Sequence, residues 1–469
     1  MNKHARKITL IGAAGLLLSG CAVRTNAGRT AVPALPAAYA AGQQDAAVRV
    51  EKADLTRWWQ AFHDPLLDSL VNRAIAGNID LRIAQERVRE ARAVRGYTSA
   101  TRQLPNTGIT GGYSDRGGGS TGQNLVSRDS SLYQTGFDSS YEIDIFGGGR
   151  ASVRAAEADA QATQEALNNT LVTVTAETAR NYLDLRQAQE RLAVARRTLT
   201  AQEEVLRLTE LRRDAGLTSD LDPVRAKAQA ESTRAAIPAL EAQAQRSIHA
   251  IALLLGIEPS TVQAELSATG ATPEAPPEVP VGLPSDLLRR RPDVRQAERE
   301  IAGSAARVGV AVSNLYPKFS LTGGTGGQSG TLSKLLSGAA SIWSFGSSFS
   351  WGLLNYPATR ANIQAAESRE RQSAATYEQA VLTALKDVED SLASYTAEKQ
   401  RQTSLVEAMN ANRKALELAQ IRYGQGLSNF LDVLDAQRSL YSSEDALTQS
   451  RATLNTNLVA LYKALGGGW

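Results

Sequence analysis

Two carboxylates near the C-terminus raise the first chemical question. The stretch RYGQGLSNFLDVLDAQ, Arg422–Gln437, sets Asp432 and Asp435 three residues apart, on one face of a helix that starts after two glycines break a helical pattern. Asn429 can serve as N-cap, and Asp432 three residues on can complete a variant capping box. Acids in a first turn also suit the helix dipole, but Asp435 lies beyond the best part of that field. Catalysis offers no role for them. Of the three His residues, His4 falls in the leader, and His63 and His249 are isolated. No metal spacing and no nucleophile motif occurs, so no enzyme, metal site or other cofactor is expected. The glycine-rich FGGGR, Phe146–Arg150, is not followed by GK[ST]. It reads as a flexible joint between a strand and a helix.

The single Cys carries a different chemistry. Lys3, Arg6 and Lys7 form a positive n-region, and Ile8–Leu18 is apolar but too short to span a bilayer. The run ends in LSGC, Leu18–Cys21, which resembles a bacterial lipobox. Residues 1–20 are therefore expected to be a lipoprotein signal peptide, with Cys21 acylated as the mature N-terminus. Ala22 follows, where an Asp would favour retention at the inner membrane. One Cys excludes an intrachain disulfide. A net charge of +3 without a concentrated basic patch argues against nucleic acid as a partner. No later stretch has eighteen uninterrupted apolar residues, which excludes membrane-spanning helices but not a β-barrel.

The elements that place these residues come in two copies. Leu211–Gln229 aligns with Ile421–Ser439 at a separation of 210: Gly216 with Gly426, Leu217 with Leu427, Asp222 with Asp432. Gly136 with Gly346, Arg150 with Arg360 and Gly256 with Gly466 keep that spacing. The expected organisation is an N-terminal segment 21–77, a first repeat 78–256, a Pro-rich linker 257–291 with one short helix, and a second repeat 292–466. Each repeat reads as a helix (about 78–103; about 292–314) and two strands (about 107–115 and 131–146; about 318–327 and 341–355). A very long helix follows (about 149–214; about 359–424), then a tip (about 213–219; about 423–429) and a final helix (about 219–255; about 429–465). The long helix would span on the order of 100 Å. Its apolar positions, from Leu171 through Tyr182 to Leu199, recur near the coiled-coil period.

Aromatics make up only 5% of the chain, yet they gather in the strands. Alternate residues of one put Trp343, Phe345, Phe349, Trp351 and Leu353 on one face and Ser and Gly on the other. The earlier copy sets Tyr133, Phe137, Tyr141, Ile143 and Ile145 against Gly136, Asp138, Glu142 and Asp144. Period-two alternation with aromatics outside suits strands facing lipid. About four strands cannot close a barrel, so the chain must oligomerise. A dimer with about eight strands and a trimer with about twelve both remain open on this argument.

Three stretches now point to a family. Arg57–Val88, YEIDIFGGGR (Tyr141–Arg150) and GLPSDLLRRRPDVRQAERE (Gly282–Glu300) resemble the TolC-like outer-membrane efflux channels, in their OprM/NodT-type lipoprotein branch. The resemblance runs from the lipobox to about Gly466. It implies an α+β membrane channel: a homotrimer whose outer-membrane β-barrel of about twelve strands continues into a long periplasmic α-helical barrel with an equatorial subdomain. Such a channel is fed by an inner-membrane efflux transporter, of RND type, through a periplasmic membrane-fusion adaptor. Gly216, Leu217, Gly426 and Leu427 would then be adaptor-contacting hairpin tips at the periplasmic mouth. Asp432 and Asp435 would ring its constriction and attract cations. Asp222 and Tyr423 occupy the positions of one gate link, while Ser428 stands where relatives place an Arg.

The resemblance implies drug efflux through a passive conduit. Type I protein secretion, metal efflux and a non-conducting coiled-coil envelope lipoprotein are the alternatives. Copper would favour a Met-lined path, and only Met1 and Met409 exist. If Cys21 is the anchor, Cys21→Ser abolishes incorporation of labelled palmitate; a labelled variant refutes it.

Overall fold

A computed structural model of the chain describes residues 36, 38–40, 48–49, 55–117, 130–276 and 279–469. Among them the elements are β1 (Val48–Arg49), α1 (Pro65–Gly77), α2 (Ile79–Gln103), β2 (Asn106–Arg116), β3 (Ser130–Ile143), α3 (Gly148–Asp214) and α4 (Leu221–Leu255). There follow α5 (Pro259–Ser267), β4 (Val279–Pro280), α6 (Leu287–Arg290), α7 (Pro292–Ser313), β5 (Lys318–Ser329), β6 (Ser341–Ser350), α8 (Tyr356–Gly424) and α9 (Phe430–Ala464). Cys21 and the signal segment lie outside the described residues.

Four helices end in the same way. The Gly216 N–H donates to the Arg213 carbonyl at 2.8 Å and the Leu217 N–H to the Arg212 carbonyl at 2.8 Å. At the end of α8 the matching bonds are Gly426 to Tyr423, 3.0 Å, and Leu427 to Arg422, 2.8 Å. The ends of α4 and α9 repeat the pair around Gly256 and Gly466. Each is a Schellman motif, which needs a left-handed residue after the helix. Gly216 and Gly426 supply it at φ +73° and +72°.

The chain divides into two compact units. The first holds residues 87–164 and 296–378, with a four-stranded antiparallel sheet in the order β2-β3-β5-β6. Its two hairpins share one register: Asn106 faces Ser140 and Lys318 faces Ser350, offsets of 212 (318 − 106) and 210 (350 − 140). The strands are shorter than expected at their ends. Pairing stops at Ile143, not 146, and at Ser350, not 355. Ile145, Trp351 and Leu353 therefore lie outside the ladder. Asp144 turns its carboxylate toward the start of α3, and the Trp351 indole N–H donates to the Leu315 carbonyl at 3.0 Å. Below the sheet, Arg95 pairs with Glu157 at 2.5 Å, and Val308, Ala311 and Ala366 form a small core.

The second unit holds residues 32–86, 165–295 and 379–469. Leu67, Leu70, Val71 and Ala74 of α1 are buried, and Trp58 stacks on Tyr462 at 5.2 Å. Val174, Thr178, Tyr182, Leu185, Ala188 and Ala195 of the α3 stripe are all buried. Residues 257–291 are more structured than a linker with one short helix. They form α5, with Pro259 in its first turn where a missing N–H costs nothing, α6, and β4, which pairs in parallel with β1.

Along the two coiled hairpins the ion pairs occur in reversed order. Glu203 of α3 accepts from Arg234 of α4 at 2.5 Å, while Arg413 of α8 donates to Glu444 of α9 at 3.2 Å. Both partners are shifted by 210 (413 − 203; 444 − 234). One residue earlier, Asn412 donates to Ser443, whereas the buried Gln202 amide and Thr233 hydroxyl have no partner.

A buried polar chain ties α3 to the rest of this unit. The Tyr182 hydroxyl donates to Asp64 Oδ2 at 2.5 Å and accepts from Arg186 Nε at 3.1 Å. Arg186 also donates to Gln189 Oε1 and to the Ala268 carbonyl. Burial, then the bond to Asp64, pushes the Tyr182 phenol above its ordinary pKa, so it stays a donor. Tyr182→Phe strips one partner from each neighbour and should destabilise the chain by about 1–3 kcal/mol, read as a lowered thermal midpoint.

Candidate functional site

Cross-strand register decides which side chains share a face of the sheet. Across the four strands Ile109, Phe137, Thr325 and Trp343 stand in one row, and Ile143, Phe319 and Phe349 in another. Tyr113 and Tyr133 oppose each other with ring centroids 4.8 Å apart. Tyr141, Leu321 and Phe345 fall on this same face, so every aromatic residue of the four strands does. The opposite face holds Thr110, Gly136, Asp138, Glu142, Lys318, Gly324, Ser344 and Ser348, with Leu132 and Ile342 as its large apolar residues. Thr110 Oγ1 donates to Asp138 Oδ2 at 2.8 Å. The aromatic face is bare: Trp343 is 80% exposed, and Phe137, Phe345 and Phe349 are exposed while Tyr141 is half-buried. Trp351, beyond the ladder, is exposed as well. The edges β2 and β6 each have one strand partner among the described residues.

The glycine-rich joint has its own occupant. The Asp144 carboxylate accepts from the backbone N–H groups of Gly149, 3.0 Å, and Arg150, 2.8 Å, and from Arg150 Nε at 3.2 Å. A carboxylate thus sits at the helix N-terminus where a phosphate would go.

At the hairpin tips, Leu217 and Leu427 are about two-thirds exposed (67% and 65%). Behind them Ala226, Tyr423, Phe430, Val433 and Leu434 form a buried cluster. Val433 and Leu434 point inward, and Asp432 and Asp435 on either side of them are exposed. Asn429 Oδ1 accepts the Asp432 N–H at 3.1 Å, so the N-cap forms, and the Asp432 carboxylate stays on the surface. Asp435 lies 3.9 Å from Arg438, whose Nε donates to Gln229 instead.

Tyr423 and Asp222 are not joined by a hydrogen bond. Asp222 accepts from Thr218, which lies on its own turn. The Tyr423 ring packs on Phe430 at 5.7 Å and lies under the Arg212 guanidinium at 4.5 Å, a cation–π contact. The Tyr423 hydroxyl, Arg212 Nε and Ser428 Oγ are buried without partners. Burial raises the Tyr423 phenol above its ordinary pKa; Arg212 opposes the shift and Asp222 adds to it.

Comparison with known proteins meets this geometry. The family model "Outer membrane efflux protein" matches residues 70–257 and 283–467. The chain belongs to the outer membrane efflux protein family. Among its relatives, the solvent efflux pump outer membrane protein SrpC of Pseudomonas putida is 34% identical over 466 residues, covering 97% of each chain. The pyoverdine export outer membrane protein OpmQ of Pseudomonas aeruginosa is 34% identical over 473 residues, covering 97% of this chain and 96% of its own. The solved outer-membrane channel OprN superposes with a TM-score of 0.89 at 37% identity, covering 93% of this chain and 97% of that one. The resemblance to TolC-like channels is thereby shown, and this outer-membrane efflux protein is a channel component and not an enzyme.

In this efflux protein the structure groups Gly216, Leu217, Asp222, Tyr423, Gly426, Leu427, Asp432 and Asp435 at the ends of α3, α4, α8 and α9. Sequence reasoning missed Arg212. Its signal was available: position 422, 210 residues later, is also Arg, two residues before the end of its helix. Tyr423→Phe keeps the ring and removes an unpaired hydroxyl, so stability should hold or rise by up to about 1 kcal/mol. Arg212→Ala should cost about 0.5–1 kcal/mol through the lost cation–π contact. Thermal melts of the two variants check the order.

Proposed function

We propose that this protein is the passive outer-membrane exit duct of a tripartite efflux pump, assembled as a homotrimer. One observation carries the reading: a four-stranded sheet with all its aromatics on one face and each edge strand paired on one side. In hydrocarbon an open edge leaves backbone N–H and C=O groups unsatisfied, so β2 of one copy must pair with β6 of the next. Three copies give about twelve strands, enough to leave a water-filled lumen lined by the Ser-, Thr- and Gly-rich face. Phe137, Tyr141, Trp343, Phe345 and Phe349 then face lipid, with Trp351 at the rim.

The two repeats of the chain then supply two non-identical coiled hairpins per copy to a periplasmic helical barrel. Cys21 holds the mature chain at the outer membrane by its acyl chains. Gly216, Leu217, Gly426 and Leu427 form the periplasmic mouth, where a membrane-fusion adaptor docks and an inner-membrane transporter of RND type delivers cargo. Asp432 and Asp435, exposed on one side of α9, face the narrowed lumen and collect cations. At the mouth the Arg212–Tyr423 contact holds the tip, while Asp222 accepts from Thr218 on its own turn. The cargo is a class of small toxic organic compounds; relatives named for solvent efflux and pyoverdine export support a wide choice of small organic molecules.

Planar-bilayer recording on the purified protein, together with its native mass, tests this reading. A conducting trimer is expected, and a non-conducting monomer overturns the duct. Asp432→Asn with Asp435→Asn should lower the cation-to-anion permeability ratio, and an unchanged ratio removes the pair from the lumen.

A further inference from the structure

One row of the aromatic face is bare. Between the row of Ile109, Phe137 and Trp343 and the row of Tyr113 and Tyr133 lie Gly111, Thr135, Gly327 and Ser341. None of these brings a large apolar side chain, so a band of backbone would meet whatever covers this face. The connection from β5 to β6 closes over that gap. A Cβ on Gly327 would project from the aromatic face and collide with the Leu335 carbonyl, with Leu335 Cδ1 at 3.7 Å. Leu335 therefore lies on the aromatic side of the sheet and not over its polar side. The loop is built of short turns, Leu332–Lys334 and Gly338–Ala340, held by the bonds from Lys334 N–H to the Thr331 carbonyl and from Leu335 N–H to the Leu332 carbonyl. Ala340 is buried, while Leu332 is 66% and Leu336 91% exposed.

We propose that the segment Thr331–Ser337 is a flap at the lipid side of the barrel rim that keeps its backbone at headgroup level and dips the Leu332 and Leu336 side chains into the hydrocarbon of the outer leaflet. The inference rests on the reading of the aromatic face as the lipid face, and its occupant follows from continuity with that face. Two exposed leucines on a loop that folds onto an exposed aromatic face enlarge a contiguous apolar patch, which marks a contact surface. In acyl chains they extend the apolar face beside the row of Gly111, Thr135, Gly327 and Ser341. Lys334, between them and exposed, can carry its ammonium up to the headgroups on its long stem. Gly327 is the residue that allows the fold-back, because any side chain there would push the loop off the sheet.

Depth-dependent quenching tests the flap. In a Cys21→Ser background, Leu336→Cys and, separately, Phe345→Cys are labelled with an environment-sensitive dye and the proteins reconstituted in phosphatidylcholine vesicles. Both dyes should lose fluorescence when acyl-brominated phosphatidylcholine replaces the plain lipid, and neither should respond to aqueous iodide. Quenching at 345 by bromolipid but at 336 by iodide alone overturns the flap and leaves the lipid-facing sheet standing. Iodide quenching at both positions overturns both readings.

Discussion

Backbone hydrogen bonding at a strand edge is the constraint from which the rest of this protein follows. Two hairpins form one sheet in a single chain, yet β2 and β6 each keep one side without a strand partner among the described residues. Water would satisfy those groups, but lipid cannot. If the aromatic face meets lipid, as proposed, the edges must pair with copies of themselves. In the proposed duct, rotational assembly, a closed lumen and a small-residue lining follow from the same unsatisfied groups. There the Gly, Ser and Thr of the non-aromatic face would line the lumen without specific pairing to cargo, which suits a conduit for unlike molecules.

Much of this was legible in the residues. Period-two alternation placed the aromatics together because a strand offers only two faces. The long helices announced themselves by their apolar spacing and by glycines at their ends, since a Schellman turn needs a left-handed residue. The strand ends were less legible. Ile145, Trp351 and Leu353 continue the alternation in sequence, but the Asp144 carboxylate accepts from backbone N–H groups at the start of α3 and the Trp351 indole donates to the Leu315 carbonyl beyond α7. Alternation reports side-chain types, but past the ladder the backbone turns on itself: the Ile145 N–H donates to the Ile143 carbonyl and the Leu353 N–H to the Trp351 carbonyl. The linker was misjudged for a similar reason. Prolines forbid one long helix there, but Pro259 suits the first turn of a short one.

At the tips, sequence reasoning found the acidic residues and the turn glycines but not their local partners. Asp222 is drawn to Thr218 on its own turn, and the Tyr423 hydroxyl is left without a partner. The ring is held by Arg212 from a different helix, a contact that no local pattern reveals. Near these helix ends the Tyr423 hydroxyl, Arg212 Nε and Ser428 Oγ are buried without partners. Such groups weaken packing where they occur, which would suit these helix ends if they form the opening mouth proposed above.

The reversed ion pairs of the coiled hairpins have a sorting effect. Were α3 to zip against α9 in the same register, Glu203 would meet Glu444; were α8 to zip against α4, Arg413 would meet Arg234. Each cognate pairing thus attracts and each swapped one repels, by a few tenths of a kcal/mol per contact. Two halves alike in sequence thereby carry opposite polarity marks, and a nascent chain holding both has an electrostatic reason to close each hairpin on itself before any neighbour arrives.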